Sequence, residues 1–338
     1  MKFHTEFGQE LFISGNNDFL GNNEVKNAIP LVYLDDEFWF VPLEFPPGVD
    51  DNILYKYFLK DKDGSLVFDG EENRSIDLSV FKKKTITAID TWNADSNVGN
   101  VFFTRPFSQV LLPRILKLKI PSPRKYTHEF RVKAPLLQAG ETICLIGSSK
   151  NLRYWDNIDP ILLATKDNWF AARAELDTNG LPVTYKYGIY NVEEKKMVAI
   201  EEGENRMLQK NKKHPAELTI LHDGFVRYPV KNWRGAGVSV PVFSLRSKQS
   251  FGVGEFSDML LLVDWAKQTG LQLIQILPVN DTIASNKWTD SYPYAAISAF
   301  ALHPLYINLE KVAGKKFVNL LKPLKKKKKQ LNELSNFD

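Results

Sequence analysis

Two stretches of the chain carry the same ordered set of side chains able to hold a ligand. Trp39-Phe40 and Trp169-Phe170 stand 130 positions apart, and sixteen positions after each tryptophan comes Tyr-Lys-Tyr, as Tyr55-Lys56-Tyr57 and Tyr185-Lys186-Tyr187. Farther on, Glu71-Glu72-Asn73-Arg74 answers Gly203-Glu204-Asn205-Arg206, and upstream Leu11-Phe12-Ile13-Ser14-Gly15 answers Ile143-Cys144-Leu145-Ile146-Gly147. Rings, ammonium groups and carboxamides together can stack on the apolar face of a polyhydroxylated molecule and hydrogen-bond its hydroxyls. The same rings also build cores. Tyr55, Tyr57, Tyr185 and Tyr187 alternate about their lysines and are expected inside. Trp155, between Tyr154 and Asp156-Asn157, is the ring expected to be exposed, whereas Trp39 and Trp169 open apolar strand patterns and suit either use.

Four landmarks in the same order mean two related domains. Each copy reads as short β-segments, at 10–13, 38–43, 54–59 and 65–68, then at 142–146, 169–176, 183–190 and 196–200. The turn signals Asp61-Lys62-Asp63-Gly64 and Asp177-Thr178-Asn179-Gly180 suit hairpins. Such spacing predicts two immunoglobulin-like all-β sandwiches, at 1–81 and 125–212. Between them, 82–124 reads as a connector draped on its neighbours through Trp92, Phe102, Phe103 and Phe107.

Bulk properties exclude several roles. The chain of 338 residues carries a formal charge of only +4, and lysines 325–329 account for that excess, so nucleic acid is not an expected partner. The lysine run is expected as a solvated loop. The single cysteine, Cys144, allows no internal disulfide and lies in an apolar run as a small hydrophobe. No signal-peptide core or membrane-spanning stretch is visible, which gives a cytoplasmic expectation with no membrane partner.

From 213 to 338 the pattern changes. An apolar run at 237–243 precedes Met259, Leu262, Val263 and Ala266, one face of a helix with Asp258 or Ser257 as its cap and Gly270 as its stop; a second apolar run at 271–277 follows. Strand, helix and strand predict a βαβ unit with parallel strands. Gly252-x-Gly254 is a weak dinucleotide signal, since Ser257 occupies the third glycine position. The five histidines lack metal spacing, and no cofactor is implied.

The paired segments resemble carbohydrate-binding module family 20, the starch-binding domain. The resemblance rests on Phe7-Gly8-Gln9-Glu10-Leu11-Phe12-Ile13-Ser14-Gly15, Leu20-Gly21, Leu152-Arg153-Tyr154-Trp155, the Tyr-Lys-Tyr elements and the Asn-Arg pairs. It implies a main sugar site at Trp155, Lys186, Ile200 and Asn205 in the second copy, and at Asn23, Lys56, Phe68 and Asn73 in the first. Each copy thus lacks one of the two rings of the family pattern. A second implied site uses Trp39 with Phe7, or Trp169 with Ala139. The implied partners are starch, glycogen and maltooligosaccharides.

The last third resembles glycoside hydrolase family 77, the 4-α-glucanotransferases, in the disproportionating-enzyme-2 arrangement. The matching elements are Arg234-Gly235-Ala236-Gly237-Val238, Phe251-Gly252-Val253-Gly254-Glu255-Phe256, Leu277-Pro278-Val279-Asn280-Asp281-Thr282 and Asp290-Ser291-Tyr292-Pro293-Tyr294. The resemblance implies that Tyr294 and Ser291 lie near the scissile sugar, in the first βα units of an incomplete (β/α)8 TIM barrel. The family reaction is a retaining one, in which a carboxylate forms a covalent glycosyl intermediate, a carboxylic acid protonates the leaving oxygen, and a second glucan takes the glycosyl group. Glu255, Asp264, Asp281 and Asp290 match none of the catalytic positions, so no catalytic residue is assigned. A barrel takes roughly 250 residues, so the chain is expected to be a truncated form, inactive without the missing C-terminal barrel portion. The competing expectation is a β-sandwich module that docks a partner protein and has no sugar site.

Overall fold

The computed structural model describes residues 1–333 except 47–48, 50, 71–72, 82–84, 95–96, 113–117, 119, 122, 167, 178–179, 210–215 and 229–232. The chain divides into Met1–Lys231 and Asn232–Asp338.

In the first sandwich, Glu10–Gly15 pairs antiparallel with Asn52–Lys60, aligning Leu11 with Leu59, Ile13 with Tyr57 and Gly15 with Tyr55. Ile29–Pro30, Leu66–Phe68 and Arg74–Asp77 complete this sheet. Strand alternation sends Leu11, Ile13, Ile53, Tyr55, Tyr57 and Leu59 into one core. The second sandwich repeats the arrangement with Glu141–Gly147 on Val183–Asn191, flanked by Ile161–Leu162, Lys196–Ile200 and Arg206–Leu208. Both copies place glycine beside the first tyrosine because the backbones approach closely there. A Cβ at Gly15 would meet the Leu54 carbonyl at 2.4 Å, and one at Gly147 would meet the Thr184 carbonyl at 2.6 Å.

The facing sheet joins the two copies. Its order is Ala164–Lys166, Trp169–Ala174, His128–Lys133, Leu218–Phe225, Ile86–Asp90. Leu218–Phe225 runs parallel to both neighbours, setting Leu218 beside Ile86 and His222 beside Asp90. Ile86–Asp90 falls where a connector was expected, and Leu218–Phe225 falls beyond the expected end of the second sandwich. Both are strands because their inward residues need cover: Leu218 and Ile220 are fully buried against Ile76, Ile86 and Tyr126. The connector's aromatics do pack on neighbours, with Phe3–Trp92 at 4.7 Å and Phe103–Phe225 at 6.1 Å between centroids.

Other expectations need correction. Gly180 closes a turn on the Asp177 carbonyl, but the strands on either side belong to different sheets, so the turn is not a hairpin; 178–179 lie outside the described residues. The lysine run lies in the helix Leu324–Glu333, not a loop. Straight-chain lysines favour helix, and Lys328 is anchored to Glu310 at 2.9 Å. Cys144 is buried, and burial pushes its thiol up to about 12.

In the second unit, Gly237–Val240 and Leu273–Ile276 pair in parallel across the helix Met259–Thr269. Gly270 stops that helix at φ 74°, its N–H donating to the Ala266 and Lys267 carbonyls. Asp258 does not cap the helix. Its carboxylate turns back to the Glu255 N–H at 2.8 Å and to the Ser247 and Ser250 hydroxyls at 2.6 and 2.8 Å, and Glu255 heads the preceding turn as its cap. Among the described residues this is one βαβ unit and not a closed barrel, and no helix is long and apolar enough to cross a membrane.

Candidate functional site

Both sandwiches build one end in the same way. Register aligns Gly15, Tyr55 and Arg74 across three strands of the first, and Gly147, Tyr185 and Arg206 across three strands of the second. The turn after the first of these strands, the lysine next to the tyrosine and the asparagine before the arginine therefore all adjoin the same three paired strands. In the second copy these are Trp155, Lys186 and Asn205.

The turn has an unusual backbone. Leu152 is buried and pins it, and Arg153, Tyr154 and Trp155 follow at φ 68°, 47° and 64°. The first copy pins Leu20 and repeats the run with Gly21, Asn22 and Asn23 at 75°, 53° and 61°. Left-handed backbone disfavours side chains other than Gly, Asn and Asp. Three large residues holding it in succession put strain at the place where rings are displayed, which is where functional sites store it. Trp155 is only partly exposed, whereas Tyr154, not singled out in the sequence, is 67% exposed. Its signal was the same motif: it occupies the turn position before the tryptophan.

Lys186 donates from Nζ to the Gly203 and Glu201 carbonyls at 2.7 and 3.3 Å, tying its strand to the loop that carries the exposed Asn205. Buried Glu201 takes two hydrogen bonds from Arg206 at 2.8 and 2.9 Å, and this arginine's neighbourhood holds the Glu201 carboxyl below its usual range despite burial. In the first copy Lys56 Nζ lies 5.5 Å over Phe68, which adjoins Phe58 and then Phe12 in a ladder across three strands. The matching register in the second copy is Cys144, Gly188 and Ile200, so the ladder belongs to the first alone. Asn73 and Asn23 are exposed.

The tyrosines expected in the core are there. Tyr55 and Tyr57 donate to Asp90 at 3.0 and 2.7 Å, and Tyr185 and Tyr187 to Asp223 at 3.0 and 2.6 Å. Burial pushes all four phenols well above their ordinary value.

The two equivalent tryptophans have different surroundings. Trp39 donates from Nε1 to Thr5 Oγ1 at 3.2 Å and meets the edge of Tyr33 at 5.5 Å. Tyr33 is half-exposed with its hydroxyl on Asp36 at 2.6 Å, and Phe7 is 98% exposed on the turn that Gly8 makes at φ 91°. Tyr33 was missed in the sequence; its sign was an aromatic across an acidic turn from Trp39. Trp169 instead sits where the sandwiches join, 5.1 Å from the buried Lys133 ammonium and 5.1 Å from the His222 ring. The connector's Phe103 shares that ammonium at 5.2 Å.

In the second unit, Tyr294 is 59% exposed beside the exposed Tyr292, ring centroids 5.6 Å apart. Ser291 ends the turn Trp288–Ser291, and its side chain lies outside the described residues. Asp290 organises this loop, accepting from Ser285 N and Oγ at 2.8 and 2.9 Å and from Lys287 N at 3.2 Å.

The family model described as the starch binding domain matches residues 1–88 and 127–220, together more than half the chain, and the model described as 4-alpha-glucanotransferase matches 240–338. A protein of Oryza sativa subsp. japonica named 4-alpha-glucanotransferase DPE2 is 32% identical over 351 residues, covering 98% of this chain and 36% of the rice protein. A 4-alpha-glucanotransferase of Chlamydia caviae is 45% identical over 73 residues, covering 22% of this chain and 13% of that protein. The chain therefore spans only about a third of the length of the rice relative. Among solved structures, the family 20 carbohydrate-binding module of a maltotetraose-forming amylase from Pseudomonas saccharophila STB07 aligns at 18% identity and TM-score 0.23, covering 28% of this chain and 97% of that one.

Proposed function

The chain belongs to the starch-binding domain family, and from that premise we propose that its two sandwiches bind α-1,4-glucans ahead of the opening portion of a 4-α-glucanotransferase. What supports the reading is the register Gly147–Tyr185–Arg206, which sets the strand carrying Lys186 between the strand that leads into the Trp155 turn and the strand that Asn205 precedes. Rings supply an apolar shelf for the sugar face, and the ammonium and carboxamide supply hydrogen bonds to hydroxyls. Starch, glycogen and maltooligosaccharides all present those groups.

The copies divide the work. In the second, Trp155 and the adjoining Tyr154 form the shelf. In the first, Phe68 with Lys56 and Asn73 offers a one-ring site, and Trp39, Tyr33 and Phe7 offer a second, more open one. Trp169 contributes less as a stacking platform, because Lys133 and His222 stand against it.

For the longer protein the proposed reaction is retaining transfer of an α-glucan segment: a carboxylate displaces the leaving glucan, whose oxygen a carboxylic acid protonates, and a second glucan then takes the segment from the carboxylate. Residues from about 232 onward supply the start of a (β/α)8 barrel, with Tyr294 and Ser291 beside the scissile sugar, and the expected compartment is the cytoplasm. The test of glucan binding is retention of the chain on amylose, competed by β-cyclodextrin and lost on combining Trp155→Ala with Phe68→Ala. Unchanged migration in an amylose gel would sink the reading.

A further inference from the structure

The two sandwiches are joined so that they cannot turn independently. Ile86–Asp90 and Leu218–Phe225 pair in parallel from Leu218 beside Ile86 to His222 beside Asp90. Side chains cross the same join: His222 bonds Asp90, and Arg131 donates from Nη1 to the Ser75 carbonyl at 2.9 Å. A bond from the Thr91 N–H to the His222 carbonyl, 3.0 Å, carries the pairing past Asp90.

The direction in which each copy faces follows from this pairing. Successive side chains of a strand point to opposite faces. His222 reaches Asp90, which also receives Tyr55 and Tyr57, whereas the next residue, Asp223, receives Tyr185 and Tyr187. Likewise Leu218 and Ile220 pack on Ile76 and Ile86, while Leu221 joins the core of the second copy. The copies therefore lie against opposite faces of the shared sheet. Their joining strands nevertheless run the same way, so the copies are related by a turn about the strand direction, and such a turn keeps both at the same end of the sheet.

The loops with the sugar-site asparagines stand at that end. In the first copy Arg74 pairs with Asp69 and donates to the Thr91 carbonyl at 2.8 Å, so Asn73 and Phe68 adjoin the C-terminal end of Ile86–Asp90. In the second, Arg206 donates to the Asp223 and Phe225 carbonyls at 2.7 and 2.9 Å, and Arg227 donates to the Glu204 carbonyl at 2.7 Å. Asn205 therefore adjoins the C-terminal end of Leu218–Phe225, and Lys186 is tied to the same loop through the Gly203 carbonyl. Asn73 and Asn205 are both exposed.

We propose that this end of the double sandwich is one two-point surface that grips two neighbouring α-glucan chains at once. The proposal rests on the glucan reading above and names the kind of glucan: packed or branched chains lying side by side, in preference to one short oligosaccharide. A hydrogen-bonded sheet holds both loops at one end, so the second grip orders no linker. Once one chain is held, the other loop meets a neighbouring chain at high local concentration.

Maltoheptaose tethered by its reducing end to a flat sensor, at low and at high density, separates one grip from two. Phe7→Ala with Tyr33→Ala is introduced first, which takes away the open patch around Trp39 as a third grip. Dissociation into buffer containing free maltoheptaose is expected to be at least about tenfold slower from the dense layer than from the sparse one. Phe68→Ala or Trp155→Ala alone restores the sparse-layer rate. Asn73→Ala and Asn205→Ala, at exposed positions, serve if a ring variant fails to fold. Equal rates from both layers, or slowing that survives the loss of either copy's site, overturns the two-point surface and leaves single-chain binding in place. Absence of binding to either layer would instead remove the glucan reading on which it rests.

Discussion

His222 hydrogen-bonds Asp90 through Nδ1 across two parallel strands that come from different sandwiches. Its other nitrogen, Nε2, lies 2.9 Å from Arg131 Nη1, which has only protons to offer. The imidazole must then accept at Nε2 and donate at Nδ1, so it is neutral, and its tautomer is set by its two neighbours. Asp90 keeps its charge: against the effect of burial, its His222 contact and the Arg74 guanidinium beside it hold its carboxyl well below the usual range, and Tyr55 and Tyr57 donate to it.

Removing Asp90 strips partners from His222, two tyrosines and an arginine at once. Asp90→Ala is expected to cost about 3–5 kcal/mol, as when one member of a buried charge pair is deleted. His222→Ala is expected to cost about 1–3 kcal/mol, the usual penalty for stranded polar groups. Urea denaturation of both variants checks the order, and an Asp90→Ala loss below that of His222→Ala would refute this account of the join.

Acid should weaken the fold through its buried histidines. Burial lowers His128 from 6.5 to about 4, and it also lowers His222, which is faced by Asp90, Arg131 and Arg74. Both take a proton more readily in the unfolded chain. Stability is therefore complete above about pH 6.5 and declines as the pH falls toward 4. For His128 alone the decline amounts to about 3 kcal/mol by the time both states are protonated. His128→Phe should flatten the melting-temperature profile between pH 6.5 and 4; an unchanged slope would contradict it.

The left-handed turns give a paired test. Arg153→Gly places glycine where the first copy already has Gly21, and should add about 1 kcal/mol by relieving the backbone. The Arg153–Asp159 contact it removes is an exposed pair at 3.5 Å and counts for little. Gly21→Ala should do the opposite, because φ is 75° and the new Cβ would lie 2.4 Å from the Asn27 carbonyl. Thermal melts of the two variants moving in the same direction would discredit the strain argument.

Transfer chemistry is not expected from these 338 residues by themselves. Among the described residues the second unit offers two parallel strands, one βαβ unit of the proposed barrel. Incubation with maltotriose should release no glucose above background in a coupled assay, and measurable release would reverse the conclusion.

What was legible in the sequence was local. The 130-residue spacing announced the duplication, alternation about Lys56 and Lys186 put the tyrosines inside, and the period of Met259, Leu262 and Ala266 with Gly270 marked the helix. The parallel pairing of Ile86–Asp90 with Leu218–Phe225 was not legible, because partners about 130 positions apart leave no periodic trace in either segment. The contrast between Trp39 and Trp169 was hidden for the same reason: identical neighbours in the chain, different neighbours across the join. Helix in the lysine run was obscured by its charge, although the stems of those side chains suit that conformation.

The borrowed strand has a practical consequence for anyone dividing the molecule. Cutting before His128 would leave Leu218–Phe225 as an outermost strand with one side of its backbone bare, ready to recruit another chain. Expressed alone, the second copy should precipitate or self-associate, while the intact pair stays dispersed. The duplicated halves share one sheet, and a well-behaved piece is therefore expected to contain both.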